Sequence, residues 1–182
     1  MIAEELDGNV IDLEGNELVA VELGHTDTDH TTCLNVPSIG LVVAGDAAYN
    51  DVHLYLAESD AGGRRSWLTA LDTIEKLSPR AVVAGHKRPE ARDDEAERIL
   101  NGTRSYIQDF AAAVSSSGTV EQIVGVMRSK YPDHGNLTTF LFSASAAATH
   151  LACPGCCPGY ARLSSNRGSA EHPGLNAVKA ST

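Results

Sequence analysis

The chain has 182 residues, of which 42% are hydrophobic and 21% are charged, as in a globular domain with an ordinary core. Its formal net charge of −10 argues against nucleic acid or an anionic membrane as a partner, because either would be repelled. No segment has the roughly 18 consecutive apolar residues that a membrane span needs, and the acidic N-terminus lacks a signal-peptide pattern, so we expect a cytoplasmic protein.

The first third of the chain predicts β-strands. Residues 9–23 predict a hairpin, because apolar residues alternate on both sides of the turn sequence Glu14-Gly15-Asn16. Two further strands are predicted at 31–36 and 39–43. The run from Gly40 to Ala44 is apolar throughout, which indicates a strand buried on both faces.

Helical periodicity follows the strands. Apolar residues from Trp67 to Leu77 fall on one face of a helix that Pro79 ends. A short buried strand is predicted at 81–84, directly before Gly85-His86.

A second helix is predicted from Ala96 to Val114, with Asp93 or Asp94 as its cap. Thr119 and Gln122 form a capping-box pattern that predicts the start of a third helix. Strands that alternate with helices predict an α/β domain over residues 1–150.

The end of the chain has a different composition. Cys153, Cys156 and Cys157 stand among Pro and Gly, and a stretch rich in Ser, Asn, Gly and Ala follows. Residues 151–182 show no helical or strand period and are predicted to form a disordered tail. With Cys33 the chain has four cysteines, which do not form the framework of a disulfide-rich secreted domain. A thiol or metal-storage role for the tail is one hypothesis for its function.

Three polar side chains directly follow predicted strands: His25 after Gly24, Asp46 after Gly45, and His86 after Gly85. Ligand sites of α/β sheets gather at the carboxyl ends of strands, so we expect these side chains to converge. Two imidazoles and one carboxylate suit Zn²⁺, and Fe or Mn would also be tolerated. Taken singly, a Gly-His pair is more typical of a turn with a surface histidine, and Gly45-Asp46 is typical of a turn or a helix cap.

The ordered set resembles the metallo-β-lactamase superfamily. Gly24-His25-Thr26 comes first, then a hydrophobic strand into Gly45-Asp46, and then a helix and a strand into Gly85-His86. The resemblance covers about residues 10–89, and the helices up to about Ala148 suit the C-terminal part of that fold. It implies half of an αβ/βα sandwich, in which helices cover a mixed β-sheet.

The resemblance also implies roles for the site residues. His25 would bind a first metal, His86 a second, and Asp46 would bridge both. A metal-bound hydroxide would then attack the carbonyl of an ester, lactone, thioester or β-lactam, because zinc lowers the pKa of its bound water to roughly 7. Tyr49 stands where the lactone-hydrolysing branch has a substrate-contacting tyrosine, and its phenol can stabilise an oxyanion. The alternative for Tyr49 is a packed ring with a satisfied hydroxyl.

Further residues near the motif are candidates for the site. Asp29 and His30 follow His25 closely and either reach a metal or belong to a polar loop at the rim. His53 either lines the pocket or is a partly exposed helix residue. Lys87 and Arg88 either bind a substrate carboxylate or are solvated.

One departure from the family pattern affects the expected activity. The first ligand cluster, His-x-His-x-Asp-His, is absent ahead of His25. We therefore expect a truncated form that keeps about two protein ligands per metal, where zinc sites use three or four. The main hypothesis is a metal-dependent hydrolase of small carbonyl substrates, and the alternative is a non-catalytic remnant that self-associates or binds a partner. Because one sheet face would lack its covering layer, we expect a homo-oligomer.

Overall fold

The computed structural model describes residues 8–152, which form one mixed sheet and four helices. The strands are hydrogen-bonded in chain order, and all neighbours are antiparallel except β4 and β5, which are parallel. The predicted α/β class, with a mixed sheet covered by helices, is confirmed. The elements are β1 (Val10–Leu13), β2 (Asn16–Gly24), β3 (Thr31–Val36), β4 (Leu41–Asn50), α1 (Ala61–Lys76), β5 (Ala81–Lys87), α2 (Ala96–Ser116), α3 (Val120–Lys130) and α4 (Leu137–Ala152).

The predicted hairpin is present, with Leu13 paired to Asn16 across the turn. Glu14 and Gly15 form the turn, and both have positive φ angles, of 53° and 82°. Two consecutive residues of positive φ match the right-handed twist of the strands that they join. Local sequence therefore determines this part of the sheet.

Strand β4 differs from its prediction in length and in burial. It begins at Leu41 and continues to Asn50, because irregular pairing with β5 lets the chain pass Gly45 and resume at Tyr49. The prediction that this strand is buried on both faces is wrong, since Val43 is exposed while Val42 is fully buried.

Helices cover only one face of the sheet in the described part of the chain. Strand residues alternate between the two faces, and those on the covered face, including Cys33, Val42 and Val82, are buried. The other side, which we call the open face, carries an apolar row that is half-buried or exposed across four strands. The pairing places these residues side by side: Ala20, Leu34, Val43 and Val83.

The helices begin where local chemistry can satisfy their first N–H groups. Asp60 caps α1 by accepting from the N–H groups of Gly62 and Gly63. The predicted start of α3 is present, since Thr119 accepts from the Gln122 N–H, and the Gln122 side chain accepts from the N–H of Gly118, one residue before the cap.

The predicted cap of the second helix is wrong. Glu95 occupies that position and makes no side-chain capping bond, while Asp93 and Asp94 pair with Lys87 and Arg92.

The core lies between the covered face and the helices, around fully buried side chains such as Trp67, Phe110 and Phe140. None of the described helices combines the length and apolar character that a membrane span requires. Helix α4 extends to Ala152, two residues into the predicted tail. The remainder of the tail, with its three cysteines, lies outside the described residues.

Candidate functional site

Asp46 and His86 meet at the carboxyl ends of the two parallel strands. The His86 Nε2 atom lies 3.4 Å from Asp46 Oδ1, and about half of each side chain is exposed. The backbone at this point permits the approach in two ways. Gly45 has a φ of 54°, in the left-handed region that favours glycine, and Gly85 has no side chain to press on Asp46.

The separation of these two atoms suits a shared zinc ion. Two ligands held at about 2.05 Å from zinc in tetrahedral geometry lie about 3.3 Å from each other. A complete zinc site takes three or four protein ligands, however, and among residues 8–152 no three His, Cys, Asp or Glu side chains gather closely enough to hold one ion. The donor chemistry of the pair therefore fits zinc, whereas the number of ligands does not.

His25 is held by hydrogen bonds to two other residues. Its Nδ1 lies 2.7 Å from Asp29 Oδ1, and its Nε2 lies 2.9 Å from the Ser59 hydroxyl oxygen. Ser59 is buried and donates to the backbone carbonyl of Thr26 at 2.8 Å. The ring also packs closely on helix α1, because a Cβ added to Gly63 would lie only 2.5 Å from Nε2. The described structure therefore does not gather His25 with Asp46 and His86 as ligands of one ion.

Tyr49 is buried behind His86. The two rings stack with centroids 5.2 Å apart and an interplanar angle of 27°, and Tyr49 is only 3% exposed. Burial raises the pKa of its phenol, and the Asp27 and Asp46 carboxylates add to this, while the Tyr55 backbone N–H acts in the opposite direction. The ring therefore contacts His86 and is almost closed to solvent.

Asp27 is a buried carboxyl close enough to sense the charge of Asp46. Burial raises its pKa, the Asp46 carboxylate raises it further, and a hydrogen bond from the Thr26 hydroxyl lowers it. Sequence reasoning offered Asp29 and His30 from the same loop as possible site residues, with a polar loop at the rim as the alternative. The apolar alternation that identifies buried strand positions is absent from this loop, so the sequence gives no signal for which aspartate turns inward.

The remaining candidates lie away from the pair. His30 is exposed and has a φ of 60° in the loop after His25. His53 is 1% exposed and lies outside any helix, so the alternative that it is a partly exposed helix residue is wrong. Its Nδ1 lies 2.7 Å from the Tyr106 hydroxyl, and its ring stacks on Phe140.

The two cations that follow His86 are paired with carboxylates. Lys87 Nζ lies 2.7 Å from Asp93 Oδ2, and the Arg88 guanidinium lies 2.5 Å from Glu90 Oε1. Arg88 also donates to the backbone carbonyl of Asp133. These contacts favour the interpretation that the two cations belong to the loop rather than to a carboxylate-binding site.

Comparison with known proteins supports the fold. No protein-family model and no curated protein matches the chain. Among solved structures, a metallo-β-lactamase family protein from Thermus thermophilus matches with a TM-score of 0.54 and 19% identity, over 82% of this chain and 48% of that protein. A β-lactamase domain protein from Burkholderia ambifaria matches with a TM-score of 0.53 and 16% identity, over 84% of this chain and 47% of that one.

The chain thus spans about half the length of these two proteins. Over its described residues, the chain has the metallo-β-lactamase fold.

Proposed function

We propose that this chain provides part of the active site of a metal-dependent hydrolase that acts on small carbonyl compounds. The observation that carries the proposal is the Asp46–His86 pair, whose 3.4 Å separation suits two ligands of one zinc ion. The fold and the position of the pair at the carboxyl ends of parallel strands are further support. The chain spans about half the length of the solved structures that it matches. The identity of the metal ligands beyond Asp46 and His86 is therefore also a proposal.

We propose His25 as the third ligand, which requires its ring to move toward Asp46 and His86, because the described structure does not gather the three side chains around one ion. To bind a metal, its Nε2 would have to give up the contact with Ser59, whose hydroxyl donates to the Thr26 carbonyl, while Asp29 holds Nδ1 on the opposite side of the ring. A carboxylate behind a histidine fixes the tautomer and orientation that metal binding needs. In this proposal Asp29 positions His25 and does not itself touch the metal.

Zinc bound at this site would supply a Lewis acid and a water of lowered pKa. The chain's own residues would place that ion and keep its ligands in position. The stacked ring of Tyr49 supports a positioning role for this residue, because the ring limits the rotation of His86 and is itself almost fully buried. We propose this role for Tyr49 in place of direct contact with the substrate.

Zinc titration of the purified chain tests the proposal. We expect about one zinc per chain, and we expect D46N and H86A each to weaken binding by at least about tenfold, because each removes a ligand. The charge-matched control is E17Q, which alters an exposed residue of β2 and should bind zinc like the wild type. Hydrolysis of a chromogenic β-lactam, a lactone and a thioester is measured in parallel. Less than about half a zinc per chain, with no hydrolysis that D46N abolishes, would contradict the proposal.

We also propose that the chain self-associates. The open face carries the apolar row Ala20, Leu34, Val43 and Val83, which no described element covers. Contiguous apolar surface of this kind is typical of an interface. The same face supports the alternative function, in which the chain is a non-catalytic partner-binding domain. Retained self-association without zinc binding would favour that alternative.

A further inference from the structure

The imidazole ring of His25 lies between two hydrogen-bond acceptors. Asp29 Oδ1 is 2.7 Å from Nδ1, and the Ser59 hydroxyl oxygen is 2.9 Å from Nε2. The single hydrogen of that hydroxyl is donated to the backbone carbonyl of Thr26 at 2.8 Å, so Ser59 accepts from the ring. A neutral imidazole has only one N–H group, and the two acceptors therefore compete for it.

The two acceptors favour opposite tautomers of His25. When the hydrogen is on Nδ1, it is donated to Asp29, and Nε2 has a lone pair that a metal ion can bind. When the hydrogen is on Nε2, it is donated to Ser59, and that nitrogen has no lone pair to offer. Ser59 therefore opposes metal binding by His25, whereas Asp29 favours it.

Ser59 is the fixed member of this contact. It is buried, its carbonyl accepts from the Arg64 guanidinium at 2.6 Å, and its N–H donates to the Leu56 carbonyl. Asp29, in contrast, has 78% of its side chain exposed. Metal binding by Nε2 therefore requires the His25 ring to move away from Ser59, because Ser59 is held by both its side chain and its backbone.

We propose that Ser59 is a positioning residue that withholds His25 from the candidate zinc site. Asp46 and His86 already lie 3.4 Å apart, whereas the described structure does not gather His25 with them. The contact with Ser59 accounts for this missing ligand. Because the contact and zinc binding at Nε2 exclude each other, the contact weakens zinc binding. This inference rests on the proposed function and identifies a residue that regulates the same site.

Zinc titration of S59A measures the effect of the contact. Binding is followed on the His86 ring signals in NMR, so that zinc bound elsewhere in the chain is not counted. Removal of the hydroxyl should tighten binding about fivefold, since one hydrogen bond no longer competes with the metal. A serine with a merely structural role would give the opposite result, because its loss would disorder the site and weaken binding.

Three further variants make the measurement specific to His25. D29A should weaken zinc binding about tenfold, since the histidine loses the group that fixes its metal-binding tautomer. H25A should abolish the effect of S59A, so that H25A and H25A/S59A bind zinc equally. S143A is the matched control, because Ser143 is also buried but its hydroxyl accepts from the Leu56 N–H. It should bind zinc like the wild type. Circular dichroism establishes that each variant is folded.

A second measurement needs only the wild-type chain and H25A. When zinc binds to the wild type, the amide signals of Ser59 and Gly63 should shift, because His25 leaves its contacts with both residues. In H25A, zinc bound by Asp46 and His86 alone should leave these two amide signals unchanged. Amide signals that stay unchanged in the wild type at saturating zinc would show that His25 keeps its contact with Ser59.

The outcomes separate this inference from the proposed function. Equal or weaker zinc binding by S59A, or tightening that persists in H25A, would overturn the role of Ser59 even if D46N abolishes zinc binding. Tightening in S59A that H25A abolishes supports the role of Ser59 even if no hydrolysis is detected. Failure of both the wild type and S59A to bind zinc would contradict both proposals.

Discussion

His53 is a buried histidine whose surroundings oppose its protonation. Its imidazole accepts or donates at 2.7 Å to the Tyr106 hydroxyl and lies between the rings of Phe140 and His134. Burial, together with the smaller effects of the charges of His134 and Arg128, lowers its pKa from 6.5 to about 4. The folded state therefore favours the neutral form of the His53 ring.

We predict that this histidine makes the fold sensitive to acid. Its folded pKa lies below the unfolded value, so the unfolded chain takes up the proton first as the pH falls below 6.5. The stability that neutral His53 contributes is complete above that pH and is lost progressively down to about pH 4. Between pH 7 and pH 5 the loss should be about 2 kcal/mol. Urea unfolding at the two pH values measures it.

H53Q provides the test of this assignment, since glutamine can bond to Tyr106 and does not titrate. H53Q should remove most of the loss of about 2 kcal/mol in the free energy of unfolding between pH 7 and pH 5. H30Q removes an exposed histidine instead and should leave the dependence as it is in the wild type. An equal loss of stability on acidification in H53Q and the wild type would assign the effect to other groups, among them His134, whose pKa burial also lowers.

Individual residues show where sequence reasoning succeeds and where it fails. Asp46 and His86 could be predicted to meet, because each follows a glycine at the end of a strand and parallel strands share an edge. The burial of His53 and Asp27 could not be predicted, because both lie in irregular segments without a period. The hydrogen bond of His25 to Ser59 joins residues 34 positions apart, which no local pattern encodes.

Among the elements, those with purely local determinants agree best with prediction. The hairpin turn at Glu14-Gly15 and the start of α3 depend on residues within four positions of one another. The end of β4 depends on its pairing with β5, which is far away in sequence, so the prediction ended this strand too early. The strands of the sheet could be predicted, whereas the irregular pairing of β4 with β5, which positions the site, could not.

The contact between β4 and β5 yields a prediction about the site. A Cβ added to Gly85 would lie 2.2 Å from Asp46 Oδ1 and 2.8 Å from the carbonyl carbon of Gly45. The Gly45 backbone cannot move aside without breaking the pairing of the two strands. G85A should therefore destabilise the fold by about 1–3 kcal/mol and displace the Asp46 carboxylate from His86.

G102A is the matched control, because Gly102 lies inside α2 with nothing within 4 Å of an added Cβ. It should stabilise the fold by up to about 1 kcal/mol through helix propensity. Urea unfolding measures both variants, and the histidine ring signals in NMR report on the surroundings of His86. A G85A protein as stable as the wild type, with unchanged His86 signals, would contradict the close contact.

At the scale of the whole molecule, helices cover one face of the sheet and leave the open face available for association. The same helices that bury Val42 and Val82 leave Val43 exposed on the opposite side. An apolar row across four strands can pack on another sheet about 10 Å away, as in sandwiches of two sheets. The sequence indicated the apolar content of these strands, but only their pairing reveals which residues share the open face.

We predict that the chain forms dimers or larger oligomers at micromolar concentration, and that V43K disrupts them. Val43 lies within the apolar row, so a lysine there would place an unpaired charge in the interface. Association should weaken by at least about tenfold, as measured by sedimentation velocity over a range of concentrations. V126K makes the same change at a valine of similar exposure on α3, 41% against 37%, and should associate like the wild type. A wild-type chain that sediments as a monomer, or equal weakening by both variants, would show that the open face is not the interface.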